Sequence, residues 1–429
     1  MELSWKNIFS NYNLFFFFMM IMYVGQGNPL TRGCVMYTGT LLFLIIPIAL
    51  TTIFIIKNKV SLIDNRFLLI IGIYTIWAFF SYIKYAGIHP SIYFIYLQLV
   101  IGFVIVKVFK MDMMYLYESI VTKLSLIGIV VWLTNMAVPQ LWHTICPYFA
   151  FDNGDSISRY NFFFSSVLNL KSHPEMFFRN PGFSWEPGMN ASVTIIAVFF
   201  NLARTNFIIK GNKNLIILMI NLITSLSTTG YITFLATVVP FYILNKKISH
   251  SIMYLLLLIP FGMWLFQLDF MGQKIKDLQS DEDTMNRAAM MDTDRGVYTP
   301  QRFDGLAFEL LNINADPLLG YGPSSVNSFV TTHVSYSLNL SNGCLKLYAR
   351  YGLILGLILT LIMFFSSVKL GRYWECKYSW LLFVLYELIS VSYVFYYLPF
   401  IIALFYSSIF LKDKEFDMCC LNSNKKYVI

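Results

Sequence analysis

The sequence predicts an all-α polytopic membrane protein with about 12 transmembrane helices. Two observations carry this. Hydrophobic residues make up 57% of the 429 residues and charged residues only 13%, whereas a soluble domain carries about 25% charge to solvate its surface. Apolar runs of spanning length, ~20 residues each, also recur along the whole chain. The 40 Phe and 28 Tyr suit a surface wetted by lipid tails and headgroups.

Nine of the runs fall near 8–25, 35–56, 67–83, 91–109, 116–138, 187–208, 251–270, 351–368 and 378–396. The stretch 215–244 is too long for one span. It is broken by Ser225-Leu226-Ser227-Thr228-Thr229-Gly230, so it reads as two short helices meeting at an outside turn. A last short run, 397–411, begins at Tyr397-Leu398-Pro399 after a tight turn. Residues 1–429 thus read as a single integral membrane domain, and no tandem repeat or soluble domain interrupts it. No A-x-A-like cleavage site follows the first apolar stretch, which is expected to stay as a helix.

Charge sets the orientation. With the N-terminus inside, every even-numbered helix ends at a basic cluster: Lys57, Lys59 and Arg66; Lys107, Lys110 and Lys123; Arg204, Lys210 and Lys213; Lys246 and Lys247; Lys369, Arg372 and Lys377; and the tail from Lys412. This is the positive-inside pattern, with both termini cytoplasmic. The net charge of +8 is dispersed among these clusters and forms no stripe, which argues against nucleic acid as a partner. Two stretches resist insertion and fall outside, 139–186 and 271–342; the second holds five basic residues against nine acids. Six cysteines and five histidines show no metal-ligand spacing. Cys146 and Cys344 both fall outside, where they could pair.

Chemistry concentrates in those two loops. The first ends in Arg179-Asn180-Pro181-Gly182-Phe183-Ser184-Trp185-Glu186-Pro187-Gly188. Pro187 suits the first helical position of the sixth span, where its missing N–H costs nothing, and places Glu186 at the helix N-terminus. Arg179 then offers a guanidinium for phosphate, Trp185 a platform for sugar, and Glu186 a carboxylate to accept a proton. A capping Glu186 paired with Arg179, beside an interfacial Trp, fits the same residues.

In the second loop, Thr299-Pro300 reads as an N-cap and first helical residue. Phe303, Leu306, Ala307, Leu310 and Leu311 then give an amphipathic helix near 300–313, lying on the membrane or against the bundle. Arg302 stands in its first turn, where a cation opposes the helix dipole. Either an external anion binds there, or Arg302 pairs with Asp304 or Glu309. Asp316-Pro317-Leu318-Leu319-Gly320-Tyr321-Gly322 follows, a turn whose glycines permit close backbone approach. Next, Ser341-Asn342-Gly343 opens a helix with Lys346 and Arg350 four apart, either a lipid-phosphate clamp or two snorkelling side chains. Glu387, near the middle of the eleventh span, should face the bundle interior and have a partner, as a functional group or a protonated structural one.

These motifs share an order. Arg-x-x-Gly-x-x-x-Glu-Pro (Arg179 to Pro187) precedes Arg302 and Pro-Leu-x-Gly-Tyr-Gly (Pro317 to Gly322), then Asn-Gly-x-Leu-x-x-x-x-Arg-Tyr-Gly (Asn342 to Gly352). Together they resemble the Wzy O-antigen and capsule polymerases, relatives of the O-antigen ligases. The resemblance implies a GT-C-like glycosyltransferase on the outer face of the bacterial plasma membrane. Such an enzyme moves a growing glycan from undecaprenyl diphosphate onto another lipid-linked repeat unit, without metal, nucleotide sugar or other cofactor. It also implies a chain-length regulator and a flippase as partners. Arg179, Glu186 and Arg302 are expected to carry catalysis, with Trp185, Tyr321, Asn342, Lys346 and Arg350 binding substrate. Ligases tend to have His-Asn where this chain has Ser341-Asn342, and His333 lies too far upstream to substitute, which favours polymerase over ligase. A lipid-linked oligosaccharide flippase is the alternative of another class; it predicts internal repeats and a polar path at the midplane.

Overall fold

The computed structural model describes residues 45–85, 89, 91–149, 159–162, 165–168, 177–184, 186–246, 297–298, 302–333, 337–338, 340 and 342–411. The runs predicted near 8–25 and 251–270, with Trp185 and the Thr299-Pro300 cap, lie outside them. The first described helix is α1, Ile45–Asn58. After it come α2 (Asn65–Tyr85), α3 (Ser91–Phe109), α4 (Asp112–Ala137) and α5 (Pro139–Phe149). A short antiparallel ladder pairs β1 (Arg159–Phe162) with β2 (Ser165–Leu168). Then follow α6 (Pro187–Arg204), α7 (Lys213–Thr224), α8 (Thr228–Thr233), a π-turn at Phe234–Val238 and α9 (Val239–Asn245). The second loop contributes α10 (Arg302–Ala315) and α11 (Phe329–His333), with a two-residue parallel ladder of β3 (Val297–Tyr298) and β4 (Ser337–Leu338). The chain closes with α12 (Gly343–Tyr373), α13 (Leu381–Ser390) and α14 (Pro399–Phe410). Among the described residues α2, α3, α4 and α12 are long and apolar enough to cross a membrane.

Local signals place several of these ends. Pro187 and Pro399 each open a helix, where a residue without an N–H loses nothing. Asn212, Ser227 and Asn342 each accept a first-turn N–H as N-cap. The break inside 215–244 falls at Ser225–Ser227, as expected.

Packing runs through two groups. Helix α14 lies between α3 and α12, and α6 between α4 and α7. Every residue of α6 from Pro187 to Ala203 is buried, so this helix is the axis of the bundle. Tyr117 of α4 stacks on Phe400 of α14 at 4.2 Å and joins the two groups. Gly102 lets α14 approach α3: a Cβ there would lie 2.6 Å from Ile402 Cγ2. Small residues at such crossings permit dispersion contact where lipid removes the hydrophobic drive.

Contacts sort the helix termini into two ends. At one, Lys107 pairs with Asp64, Arg204 with Glu118, the Arg66 guanidinium with the Ile409 carbonyl, and Asn245 with the Lys377 backbone. The described members of the predicted basic clusters gather here. At the other lie Tyr85, Ser91, Glu186, Asn342 and Tyr393, which carry or contact the sequence motifs.

Candidate functional site

The motif-bearing end is assembled around a broken helix. Within α12, Gly352 adopts φ 79°, ψ 165°, a conformation essentially confined to glycine. The break leaves the Ala349 and Arg350 carbonyls without helical donors, and the Pro317–Gly322 turn supplies them. Tyr321 N donates to Ala349 O at 2.9 Å, Gly322 N to Arg350 O at 3.2 Å, and Leu353 N to Pro317 O at 2.7 Å. Gly320 (φ 72°) lies so close that a Cβ would stand 2.5 Å from the Arg350 carbonyl. Two motifs about thirty residues apart therefore form one backbone-to-backbone joint. The indole of Trp77 in α2 caps it by donating to Leu319 O at 3.1 Å.

Arg350 sits at this joint, buried. Its guanidinium donates to the Tyr397 hydroxyl, the Pro323 carbonyl and Ser91 Oγ and lies over the Tyr397 ring. It ties α12 to the start of α3 and to the segment before α14. Lys346, one turn earlier, donates to Leu340 O at 2.8 Å. Arg350 is buried and Lys346 half-buried, and both bond within the protein, which is not the placement of snorkelling side chains. Asn342 is fully buried and caps α12 through Leu345 N at 3.0 Å. The Tyr321 ring is buried against Ile313 and Ala349, and burial holds its hydroxyl well above the usual phenol range.

The Arg179–Glu186 segment is anchored separately, by a network of asparagines. Asn180 donates to Asn221 Oδ1 at 3.0 Å and to Thr224 Oγ1 at 2.9 Å. Asn221 in turn donates to Thr194 at 2.8 Å and Ser125 at 3.0 Å. Gly182, at φ 56°, rests on Asn190 and lies against Gly128 of α4. Arg179 lines a narrow cleft with Trp132, Asn135, Ser166 and Phe177. Glu186 holds the N-cap position of α6 without capping it by its side chain; its Oε2 instead accepts from the Tyr393 hydroxyl at 3.0 Å. Since Tyr393 and Tyr397 belong to one short segment, that segment links the Glu186 and Arg350 groups. The Arg302 side chain lies outside the described residues.

Of the two placements expected for the apolar stripe of α10, on the membrane or against the bundle, the second is not the one adopted. The stripe of Leu306, Ala307, Leu310 and Leu311 is not the packed one: Leu310 is 49% and Leu311 37% exposed. Phe308, Glu309, Asn312 and Ile313 pack inward instead. Glu309 is 0% exposed, and its Oε2 accepts from Asn312 Nδ2 at 3.1 Å. Burial pushes its carboxyl up to about 7, partly offset by Lys346, the Asn312 bond and Arg350. Glu387 has a partner, as expected: Cys344 donates its thiol at 2.8 Å. Cys344 is a free thiol, and the Cys146 side chain lies outside the described residues.

At the basic end, a cavity of about 760 Å³ opens among Tyr115, Arg204, Lys210, Asn214 and Trp374. Its floor holds Glu118, 0% exposed, gripped by Arg204 Nε and Nη2 at 2.7 Å each and by Asn201 at 2.7 Å. Sequence reasoning passed over this pair and over Glu309, Tyr393 and the asparagines. The available signal was polar side chains inside apolar runs, which must find partners.

Comparison with protein-family models, curated proteins and solved structures finds no match to this chain. Fold and site together define a class, a mostly helical chain whose apolar helices are those of a membrane protein, with its polar motifs drawn together at one end.

Proposed function

We propose that this chain is a membrane glycosyltransferase, a polymerase joining undecaprenyl-diphosphate-linked oligosaccharide repeat units into O-antigen or capsular polysaccharide. In this reading the motif-bearing end faces outward from the bacterial plasma membrane, with both termini cytoplasmic. The single observation behind the reading is the joint between the Pro317–Gly322 turn and the Gly352 break. Two of the motifs that carry the family resemblance, Pro317–Gly322 and Asn342–Gly352, are in contact there, at the same end as the Arg179–Glu186 segment.

The chemistry asks for few parts. An acceptor sugar hydroxyl gives its proton to a carboxylate and forms a bond to the donor's anomeric carbon. The anomeric bond to undecaprenyl diphosphate breaks, and the diphosphate leaves as an anion. Arg179 and Arg302 stabilise that developing charge, and Glu186, oriented by Tyr393, takes the proton. Trp185 supplies a stacking surface for sugar. A chain-length regulator and a flippase are the partners this role implies.

Deleting the gene in its host tests the reading. Single repeat units on the acceptor, with no ladder of longer glycans, are the expected result. Loss of all attachment with accumulation of long lipid-linked polymer would establish a ligase instead, and loss of translocated repeat units a flippase.

A further inference from the structure

Helix α10 is held by a buried polar chain that none of the proposed chemistry uses. Asn312 stands at its centre: its Oδ1 accepts from Val330 N of α11 at 3.0 Å, and its Nδ2 donates to Glu309 Oε2 at 3.1 Å. Glu309 Oε1, also buried, has no hydrogen-bond partner among the described residues. The groups around the carboxyl can be named from each packed element. Lys346 and Arg350 act on it from α12, and Tyr321 responds to it from the following turn. His333 of α11 is exposed and engaged with Phe329 O. No contact ion pair reaches Glu309 among the described residues, so its charge, when present, is compensated only at a distance. A carboxyl buried that way favours its neutral form.

Helix α10 packs on α12, with Ile313 against Ala349, and Glu309 lies four residues before Ile313 on the same helix face. We propose that Glu309 is a positioning residue whose neutral carboxyl lets this face of α10 stay seated on α12, and whose ionisation loosens that seat. Arg302 begins the same helix, seven residues earlier and two turns along the same side by register. The seat therefore sets where Arg302 stands. Only this last link rests on the proposed polymerase reading; the docking of α10 stands on its own geometry.

The direction follows from linkage. A solvent-exposed Glu ionises near its ordinary 4.5, whereas the docked one holds its proton to about 7. Docking is therefore strongest below pH 4.5, weakens as pH rises through that interval, and is level above 7. Lys346 and Arg350 narrow the interval without reversing it.

Hydrogen exchange on the full chain in lipid nanodiscs reads this directly. After correction for the intrinsic pH dependence of exchange, protection of amides 305–315 should fall at least about ten-fold from pH 5 to pH 7, while amides 353–370 of α12 hold steady. In Glu309→Gln, which keeps the size and the bond to Asn312, the fall should vanish and the helix stay protected. A wild-type profile without the fall overturns the proposal, and so does a Gln variant that retains it. Loss of the glycan ladder in Glu309→Gln with α10 still protected also overturns it, because the carboxyl would then act in the chemistry. A wild-type chain that makes no polymer would remove the polymerase reading and leave the exchange result intact.

Discussion

Replacing Gly352 with alanine should unseat the joint at the motif-bearing end. The cost can be worked from the structure. Gly352 holds φ 79°, ψ 165°, and forcing a side chain into that region costs roughly 1–3 kcal/mol. The new Cβ would also fall on the Leu318 carbonyl, far inside contact distance and against backbone that cannot swing aside. Relief requires the turn to retreat, which gives up the Tyr321, Gly322 and Leu353 hydrogen bonds at about 1 kcal/mol each. The sum is roughly 4–6 kcal/mol, more if the freed carbonyls face lipid. Gly72→Ala is the control, since a Cβ there meets nothing within 4 Å. Thermal unfolding of the purified chains, followed by tryptophan fluorescence, should show Gly352→Ala many degrees below wild type and Gly72→Ala beside it. Equal midpoints for all three would refute the claim that the turn and the broken helix hold each other.

Three further outcomes follow from the same structure. Glu118→Ala removes a fully buried carboxylate from an Arg204 that is only half-buried beside the cavity, and should cost about 1–3 kcal/mol; the double replacement Glu118→Leu/Arg204→Met should recover much of it, as judged by the same unfolding midpoints. Arg302→Lys keeps the charge but not the planar fork, so it should lose most polymer synthesis at normal protein level. A structural ion pair would instead tolerate Lys, and well-expressed Arg302→Ala with a normal glycan ladder would remove this residue from the site. Reporter fusions should be cytosolic at 57–66 and 209–214 and external at 150–175 and 275–330, and an internal 275–330 would overturn the mechanism with the map.

Much of the architecture was legible because its causes are local. Hydropathy marked the apolar helices, Pro187 and Pro399 fixed two helix starts, and Asn342 capped α12. The described basic residues of these clusters gathered at one end because each lies at a helix terminus of the same sense. The glycines of Pro317–Gly322 announced a close approach, but not to what. Periodicity marked α10 as an amphipathic helix but left open which way its stripe faces, for a physical reason. In water an apolar stripe points to the core, but near a membrane lipid is as apolar as any core, so the stripe does not say which side is packed. There the polar face of Glu309 and Asn312 is the packed one, since polar groups shun lipid more than apolar groups need protein. Only tertiary structure could decide that Glu118 meets Arg204, that Tyr393 holds Glu186, and that Arg350 turns inward to Tyr397. Each is a pairing between groups far apart in the chain, chosen by where the helices bring unsatisfied donors and acceptors together, and no local pattern records it.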